Sequence, residues 1–270
     1  MMSSSTTPAL APAPVPALFL TTAQVITYFG TQKLTHASGF FFEREDRLYV
    51  VTSRHVLQDQ VTQHQPDRIE VDLHLDTVDL TQSVRFSVPL YRGDEALWHQ
   101  GRDACGDIDV AVIELERAQL PPSVVLHAFT PEHLTQSFAE VDVGENLLVV
   151  GFPLGFHDVR HHLPVIRHAV MASPYGVRFE GQGYFLTDAR THRGISGAPV
   201  VARDPVAAAR GAALPWKLLG IHSSSMDMGD RDRYLDHSLG LNCVWYANIL
   251  LILTQASADA EPMEGLRRVV

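Results

Sequence analysis

Between about Thr21 and Leu253 the chain is a series of short β-type runs separated by turn residues, with few stretches of helical periodicity. Such a chain buries its apolar side chains by pairing strands, because period-2 alternation turns one face of each run toward a core. The clearest pair of runs, residues 39–43 and 47–52, is aromatic or β-branched and flanks a charged turn, which predicts a β-hairpin. The sequence therefore predicts an all-β fold.

A proline-containing segment separates two sets of predicted strands. Apolar and polar residues alternate over 69–76 and again over 84–90, as expected for strands with one buried face. Residues 117–135 contain three prolines and only a weak helical pattern. We interpret this interruption as the connection between two barrels. The predicted boundaries are an N-terminal barrel at 21–120, a linker at 121–140 and a C-terminal barrel at 141–254.

The ends of the chain lack the patterns of packed or membrane-spanning segments. Residues 1–20 contain four prolines and no Lys or Arg, and prolines prevent the continuous apolar helix of a signal peptide. We expect a disordered leader there and a loose tail at 255–270. No apolar run approaches the roughly 18 residues of a membrane helix, so the expected location is cytoplasmic.

Charge and cysteine content limit the partners of the protein. The chain has 21 Lys and Arg against 31 Asp and Glu, a net charge of −10, which argues against nucleic acid or an anionic membrane as a partner. Its two cysteines, Cys105 and Cys243, lie far apart in sequence. Exported chains of this size more often carry several paired cysteines, so two free thiols are expected.

Three segments carry residues suited to nucleophilic catalysis: His55 in "LYVVTSRHVL", Asp109 in "GDIDVAVIEL" and Ser196 in "THRGISGAPVV". A serine nucleophile needs an exposed hydroxyl and two N–H groups aimed at the oxyanion that forms when it attacks a carbonyl. Gly194 can present one N–H without an obstructing side chain, and Ser196 supplies the second. Taken singly, a lone histidine is more often a solvated side chain and an aspartate before a strand more often a turn or cap, while Gly-Ile-Ser-Gly alone could be a flexible turn.

Five segments in order resemble the chymotrypsin-like serine peptidases, especially the disulfide-free bacterial branch with the high-temperature-requirement proteases and the glutamyl endopeptidases. The resemblance covers roughly Gln24 to Leu253. It implies two six-stranded antiparallel β-barrels, the trypsin-like double barrel, with the active site between them. The segments are "GFFF...YVVTSRHVL", "DVAVIEL", "VVGFPLG", "LTDARTHRGISGAPVV" and "LLGIHSSS".

The resemblance implies a serine endopeptidase that acts on protein or peptide substrates through an acyl-enzyme and needs no cofactor. His55 would be the base, Asp109 would orient it, Ser196 would be the nucleophile, and Gly194 and Ser196 would form the oxyanion hole. Asp109 is preferred to Asp107, because the Val-Ala-Val-Ile that follows Asp109 matches the family pattern.

The chain departs from the family pattern around the nucleophile. Ile195 stands where trypsin-like zymogens carry the aspartate of their activation switch, so no such switch is expected. Ala198 replaces a frequent second glycine, which leaves the expected activity unchanged. His192 and Arg193 directly precede Gly194. The sequence therefore does not determine the resting conformation of the loop that would form the oxyanion hole.

Four residues are predicted to bind substrate: Arg190, Thr191, His222 and Ser223. His222 resembles the histidine that contacts an acidic side chain in glutamyl endopeptidases. Together with Arg190 it would favour a carboxylate, which predicts cleavage after Glu. The alternative is that His222 packs in its strand and Arg190 points to solvent. Ser223 also resembles the serine that binds the catalytic aspartate.

Other functions compete with the peptidase, among them an esterase or acyl hydrolase, but the Gly-x-Ser-x-Gly motif of that class is absent at Ser196. Four histidines between residues 157 and 168 suggest a metal site, but the nearby Pro153, Gly155 and Pro164 favour loop and strand over a helix that would align them, and no metal is expected. The main competing function is that of a catalytically silent trypsin-fold protein that binds peptides or serves as a scaffold. The presence of all three catalytic residue types favours the enzyme.

Overall fold

The computed structural model describes residues 15–226 and 239–255, and these residues form the predicted all-β architecture of two antiparallel sheet systems. The first system is a seven-stranded sheet, one strand more than predicted, in the order β5-β4-β1-β2-β3-β9-β8, with β6 and β7 as a separate pair. Its strands are β1 Thr22–Phe29, β2 Gln32–Arg44, β3 Arg47–Thr52, β4 Arg68–His74, β5 Ser83–Pro89, β6 Tyr91–Arg92, β7 Glu95–Ala96, β8 Trp98–Asp103 and β9 Gly106–Leu115.

The second system is a closed six-stranded barrel, as predicted, in the order β10-β11-β12-β15-β14-β13. Pairing of β13 with β10, for example Val201 with Leu148, closes it and leaves no free sheet edge. Its strands are β10 Asn146–Gly151, β11 Val165–Met171, β12 Tyr184–Asp188, β13 Pro199–Arg203, β14 Trp216–Ser225 and β15 Leu241–Tyr246.

Helices in the described residues are short. The α-helices are α1 Arg54–Leu57, α2 Pro205–Ala209 and α3 Leu250–Leu253. The 3-10 helices are Ala17–Thr21, Arg117–Gln119, Pro131–His133, Phe138–Glu140, Pro153–Gly155, Phe179–Gly181 and Ala247–Ile249. None of the helices in residues 15–226 and 239–255 has the length and apolar character needed to cross a bilayer.

The predicted hairpin is confirmed as β2 and β3. Glu45 and Asp46 form its turn with φ values of 53° and 63°, the left-handed pair that a tight two-residue hairpin needs. Phe40 consequently pairs with Val51, and both side chains are buried. The hairpin thus delivers the end of β3 to the start of α1 with a fixed register.

One of the buried hydrophobic clusters is common to the two sheet systems. Phe40 and Val112 from the first system lie in one buried cluster with Val150, Leu218 and Trp245 from the second. Phe129 lies between the two systems in sequence and packs edge-on against Phe40, with 5.8 Å between ring centroids. Burial of this common cluster fixes how the two systems face each other.

The last residues of the predicted disordered leader, from residue 17 on, are ordered in the structure. Residues 1–14, and 256–270 of the predicted tail, lie outside the described residues. Residues 17–21 form a 3-10 helix in which Leu18 and Leu20 are 3% and 6% exposed. Their burial outweighs the cost of ordering this short segment.

Candidate active site

His55 and Asp109 meet because neighbouring strands carry them. Thr52, at the end of β3, pairs with Ala111 of β9, so α1 begins beside the start of the apolar part of β9. The His55 backbone N–H donates to Asp109 Oδ1 at 2.9 Å. The His55 Nδ1 atom lies 2.7 Å from Asp109 Oδ2, and since a carboxylate can only accept, the ring donates its Nδ1–H. The Nε2 atom is thereby left as the basic nitrogen.

Ser223 on β14 supplies a third donor to Asp109. Its hydroxyl donates to Oδ2 at 2.5 Å, so the carboxylate is held from both sheet systems. Asp107, the alternative aspartate of the sequence motif, is exposed and faces Arg102 at 3.7 Å. The structure thus brings Asp109, and not Asp107, to His55.

The electrostatics of the pair favour the state in which Asp109 is ionised. Burial alone raises the pKa of Asp109, but the hydrogen bonds and charge of His55 and the Ser223 hydroxyl outweigh it and hold that pKa below its usual value. Burial alone lowers the pKa of His55, while its hydrogen bond to Asp109 and the carboxylate charge raise it, with a net rise. Each group therefore stabilises the charged form of the other.

Ser196 lies in the same cleft as His55, a space of about 1000 Å³. Its hydroxyl donates to the Ser223 carbonyl at 2.9 Å, and within the described residues it makes no hydrogen bond to His55. The His55 Nε2 atom likewise has no partner in the described part of the chain. Ser196 is bound to the Ser223 carbonyl. His55 is bound to Asp109, which also accepts from the Ser223 hydroxyl. Within the described residues, the Ser196 hydroxyl and the His55 ring make no direct hydrogen bond.

The loop before Ser196 has the features of an oxyanion site. Neither the Gly194 N–H nor the Ser196 N–H donates a hydrogen bond within residues 15–226 and 239–255. Gly194 has φ +90°, and a Cβ there would lie 2.7 Å from the Phe152 carbonyl oxygen, so only glycine fits. The Arg193 carbonyl accepts from Leu154 N–H at 2.5 Å, which fixes the turn that precedes Gly194.

Ser38, which the sequence analysis did not single out, ties this loop to the first sheet. Its N–H donates to the Ser196 carbonyl at 2.9 Å, and its hydroxyl donates to the Gly194 carbonyl at 2.8 Å. The hydroxyl also accepts from Phe152 N–H at 2.9 Å. These bonds direct the two loop carbonyls toward Ser38. The only feature of the sequence that could have indicated this role of Ser38 is a small polar residue directly before Gly39.

Gly197 sits at a point of close backbone approach. With φ +84°, a Cβ at this position would overlap the Ser38 carbonyl oxygen and the Thr52 hydroxyl and would lie 2.8 Å from Thr52 Cα. Its N–H donates to the His222 carbonyl at 2.8 Å. The glycine after Ser196 is therefore required by packing between the two sheet systems.

Replacing Gly197 by alanine is expected to lower the free energy of unfolding by about 3 kcal/mol or more, from left-handed strain plus overlap with buried backbone. Urea denaturation measures this loss. Gly211→Ala is the matched control, because Gly211 has φ +74° and no atom within 4 Å of a Cβ; it should lose only about 1–2 kcal/mol. Equal losses of unfolding free energy in the two variants would show that overlap of the new Cβ with Ser38 and Thr52 does not contribute to the loss.

The predicted substrate-binding residues fall into two groups. His222 and Ser223 lie beside the Ser196 loop, since their carbonyls accept from the Gly197 N–H and the Ser196 hydroxyl, and His222 is 2% exposed. Thr191 contacts Ser225 and Asn242. Arg190 is exposed, and its carbonyl accepts from the Arg167 guanidinium at 2.8 Å. The Arg190 guanidinium forms no ion pair within the described residues. The structure therefore does not bring it to His222.

Asn242 of β15 is a further residue that the sequence analysis missed. It is 1% exposed and accepts hydrogen bonds from Thr191, His222 and Ser225. An isolated asparagine within "LNCVWY" carries no sequence signal for such a role. Only the pairing of Asn242 with Ser225 across β14 and β15 reveals it.

The histidines that suggested a metal pair with other groups. His161 lies 2.8 Å from Asp158, and His162 lies 3.4 Å from Asp72. His168 contacts the Asn146 side chain at 3.1 Å. Within the described ranges, no three His, Cys, Asp or Glu side chains are grouped as metal ligands would be.

Solved structures with the same fold include proteases. A serine-to-alanine variant of the HtrA-type protease AlgW, determined with a tripeptide, matches with a TM-score of 0.52 and 16% identity over 87% of this chain and 59% of that chain. A serine endoprotease from Yersinia pestis matches with a TM-score of 0.50 and 15% identity over 87% of this chain and 62% of that one. The chain thus spans less than two thirds of the length of either, and the likeness is one of fold. No curated protein sequence matches the chain.

The family model for the trypsin-like peptidase domain matches residues 37–206. The matched segment is more than half of the chain and runs from the strand that carries Ser38, through His55 and Asp109, to the strand after Ser196. The chain therefore belongs to the trypsin-like peptidase domain family.

Proposed function

We propose that the protein is a serine endopeptidase that cleaves peptide bonds with Ser196 as nucleophile, His55 as base and Asp109 as the group that orients the base. The observation that carries the proposal is the environment of Asp109. Its carboxylate binds the His55 ring, the His55 backbone and the Ser223 hydroxyl, while the Ser223 carbonyl binds Ser196. A buried carboxylate held this closely fixes both the ring position and its tautomer.

The acylation step would begin with a turn of the Ser196 hydroxyl from the Ser223 carbonyl to His55 Nε2. The serine oxygen then attacks the peptide carbonyl carbon as Nε2 takes the hydroxyl proton. The resulting oxyanion binds the N–H groups of Gly194 and Ser196. Collapse breaks the carbon–nitrogen bond, and His55 gives its proton to the leaving amine.

Deacylation would repeat the chemistry with water. His55 takes a proton from the water, whose oxygen attacks the ester carbon of the acyl-enzyme. The carbon–oxygen bond to Ser196 breaks, and the proton on His55 returns to the serine oxygen. The products are a carboxylic acid and the free enzyme.

The test of the proposal is labelling with a fluorophosphonate, which reacts with an activated serine irrespective of the peptide sequence that the enzyme prefers. We expect one modified residue, Ser196, identified by mass spectrometry. Labelling should vanish in Ser196→Ala and persist in Ser87→Ala, a control at an exposed serine of β5. A folded wild-type protein that takes up no label would contradict the proposal.

One observation favours the competing function, a catalytically silent protein that binds peptides. The Ser196 hydroxyl is bound to the Ser223 carbonyl and not to His55, so the resting site is not poised for proton transfer. If that arrangement persisted with peptide bound, the protein would bind substrates without cleaving them. Absence of label together with measurable peptide binding would support this function.

The predicted preference for glutamate has little support from the residues that suggested it. Arg190 is exposed and makes no ion pair in the described part of the chain. Burial lowers the pKa of His222 to about 4, so this imidazole is neutral near pH 7. His222 therefore offers no positive charge to a substrate carboxylate near pH 7, and no contact in the described residues holds the Arg190 guanidinium beside it. The proposal therefore covers peptide-bond cleavage and not cleavage after acidic residues.

A further inference from the structure

Ser53, the residue directly before α1, has a hydroxyl that the acylation step described above does not use. It is fully buried and occupies the N-cap position of α1, with φ −73° and ψ 141°. A serine at this position normally accepts a hydrogen bond from an N–H of its own helix. The Ser53 side chain makes no such bond. Its hydroxyl instead donates to the His222 carbonyl of β14 at 3.1 Å.

The His222 carbonyl oxygen joins the two segments that carry the proposed base and the proposed nucleophile. It accepts from the Ser53 hydroxyl and, at 2.8 Å, from the Gly197 N–H. A carbonyl oxygen has two lone pairs, so both bonds form at once. Ser53 lies two residues before His55, and Gly197 lies directly after Ser196. One oxygen atom therefore connects the start of α1 to the Ser196 loop.

The bond from Ser53 is the direct hydrogen bond by which residues 52–58 reach the second barrel, and no other is present within residues 15–226 and 239–255. The backbone and the ring of His55 both bind Asp109, which belongs to the first sheet. Ser53 and His222 are 0% and 2% exposed, and a hydrogen bond away from water is stronger than an exposed one. Loss of the Ser53 hydroxyl would therefore free α1 to shift against the second barrel.

We propose that Ser53 is a positioning residue: its hydrogen bond to the His222 carbonyl sets the distance between the His55 ring and the Ser196 hydroxyl. The proposal rests on the proposed function. Ser196 must turn from the Ser223 carbonyl toward His55 Nε2 before it loses its proton, and the turn is productive only if Nε2 lies within hydrogen-bond reach. Ser53 itself does not line the cleft, so it acts through His55 and touches no reacting atom.

Replacing Ser53 by alanine is expected to lower kcat by about 10-fold and to leave KM within about twofold of the wild-type value. Misplacement of a catalytic group by about 1 Å costs on the order of 10² in rate, and the loss should be smaller here because Asp109 still holds the His55 ring. KM should not change, because Ser53 is buried and lies outside the cleft lining. Initial rates on a fluorogenic peptide over a range of concentrations give both constants.

Ser173→Ala is the matched control. Ser173 is also buried, its hydroxyl accepts from the Leu186 N–H at 2.9 Å, and it does not line the cleft. Both substitutions should lower the thermal midpoint, but Ser173→Ala should keep kcat within about twofold of the wild type. If Ser53→Ala also lowered the midpoint without lowering kcat, Ser53 would only stabilise the fold, and the proposal would be overturned.

A double variant tests whether Ser53 acts through His55. In Asp109→Asn the ring is driven to the tautomer that cannot take the Ser196 proton, so its position no longer affects the rate. Adding Ser53→Ala to Asp109→Asn should therefore lower kcat by less than about twofold, because residues that act as a unit have non-additive effects. A further loss of about 10-fold in the double variant would mean that Ser53 does not act through His55.

Fluorophosphonate labelling of the same samples separates the role of Ser53 from the proposed function. We expect label at Ser196 in the wild type and slower labelling in Ser53→Ala. Equal labelling rates would refute the role of Ser53 and leave the peptidase intact, whereas a folded wild type without label would refute both. If Ser53→Ala does not fold, Ser53→Cys takes its place, because a thiol nearly keeps the volume of the side chain and donates only weakly.

Discussion

Replacing Ser196 by alanine is expected to lower peptide turnover by a factor on the order of 10⁶, because it removes the nucleophile and leaves only binding and the oxyanion donors. Within the described residues the side chain makes one hydrogen bond, to the Ser223 carbonyl, and the Ser196 backbone carbonyl remains available to Ser38. The fold should survive, with a thermal midpoint within a few degrees of the wild type. Turnover is measured on a fluorogenic peptide, with circular dichroism as the folding check.

The size of this loss distinguishes the two candidate functions. If Ser196 is the nucleophile, the turnover of Ser196→Ala must fall to the rate that binding and the oxyanion donors alone support. A loss of less than about tenfold would mean that the measured turnover came from another site or from a contaminating enzyme, and the silent binding function would then gain support. Binding of the peptide to Ser196→Ala should persist in either case, since the substrate contacts are retained.

Replacing Asp109 by asparagine is expected to lower kcat by about 10⁴-fold, as when a triad loses the carboxylate that fixes its imidazole. The asparagine NH₂ cannot accept the His55 Nδ1–H, so the ring is driven toward the tautomer that carries its proton on Nε2. That tautomer cannot take the Ser196 proton. The variant keeps the shape of the side chain and so isolates the tautomer effect from packing.

The pH dependence gives an independent readout of the same pair. His55 must be neutral to act as a base, and its raised pKa places the acid limb of kcat/KM above the ordinary histidine value of about 6.5. Activity is therefore lost as pH falls through that raised pKa. In Asp109→Asn the two larger influences that raise the pKa of His55 are gone and the smaller one, the charge of Asp59, remains, while burial still lowers that pKa. The acid limb should therefore move to lower pH.

Asp107→Asn is the matched control for Asp109→Asn. Asp107 lies two residues away, is exposed and faces Arg102, so its loss should change kcat less than about twofold and leave the acid limb in place. Equal effects of the two substitutions would contradict the assignment of Asp109. A large loss in kcat without a shift of the acid limb would mean that Asp109 acts through the fold and not through His55.

The sequence was sufficient to predict the strands and to nominate His55, Asp109 and Ser196. The strands follow from local alternation, and the three residues lie in segments whose order could be compared with a known family. The hairpin could be predicted because its turn and both of its strands are contiguous. Local patterns of this kind do not depend on how distant strands pair.

Contacts between distant strands could not be predicted. Asn242 matters because β15 places it opposite Ser225, and Ser38 matters because the second barrel brings Gly194 and Ser196 to it. Leu18 and Leu20 were assigned to a leader because prolines dominate the preceding residues, although tertiary burial decides their state. Arg190 was placed in the pocket by its position in the motif, but the direction of a long side chain is not encoded by position.

The two hydrogen bonds from Ser38 to the nucleophile loop have a consequence during synthesis. A ribosome that has made the first sheet has produced His55 and Asp109 but not Ser196. When Ser196 finally emerges, the loop around it still lacks its shape until β2 is docked against it. Under the proposed function, the site is therefore complete only at the last stage of assembly, after β2 and the Ser196 loop have docked.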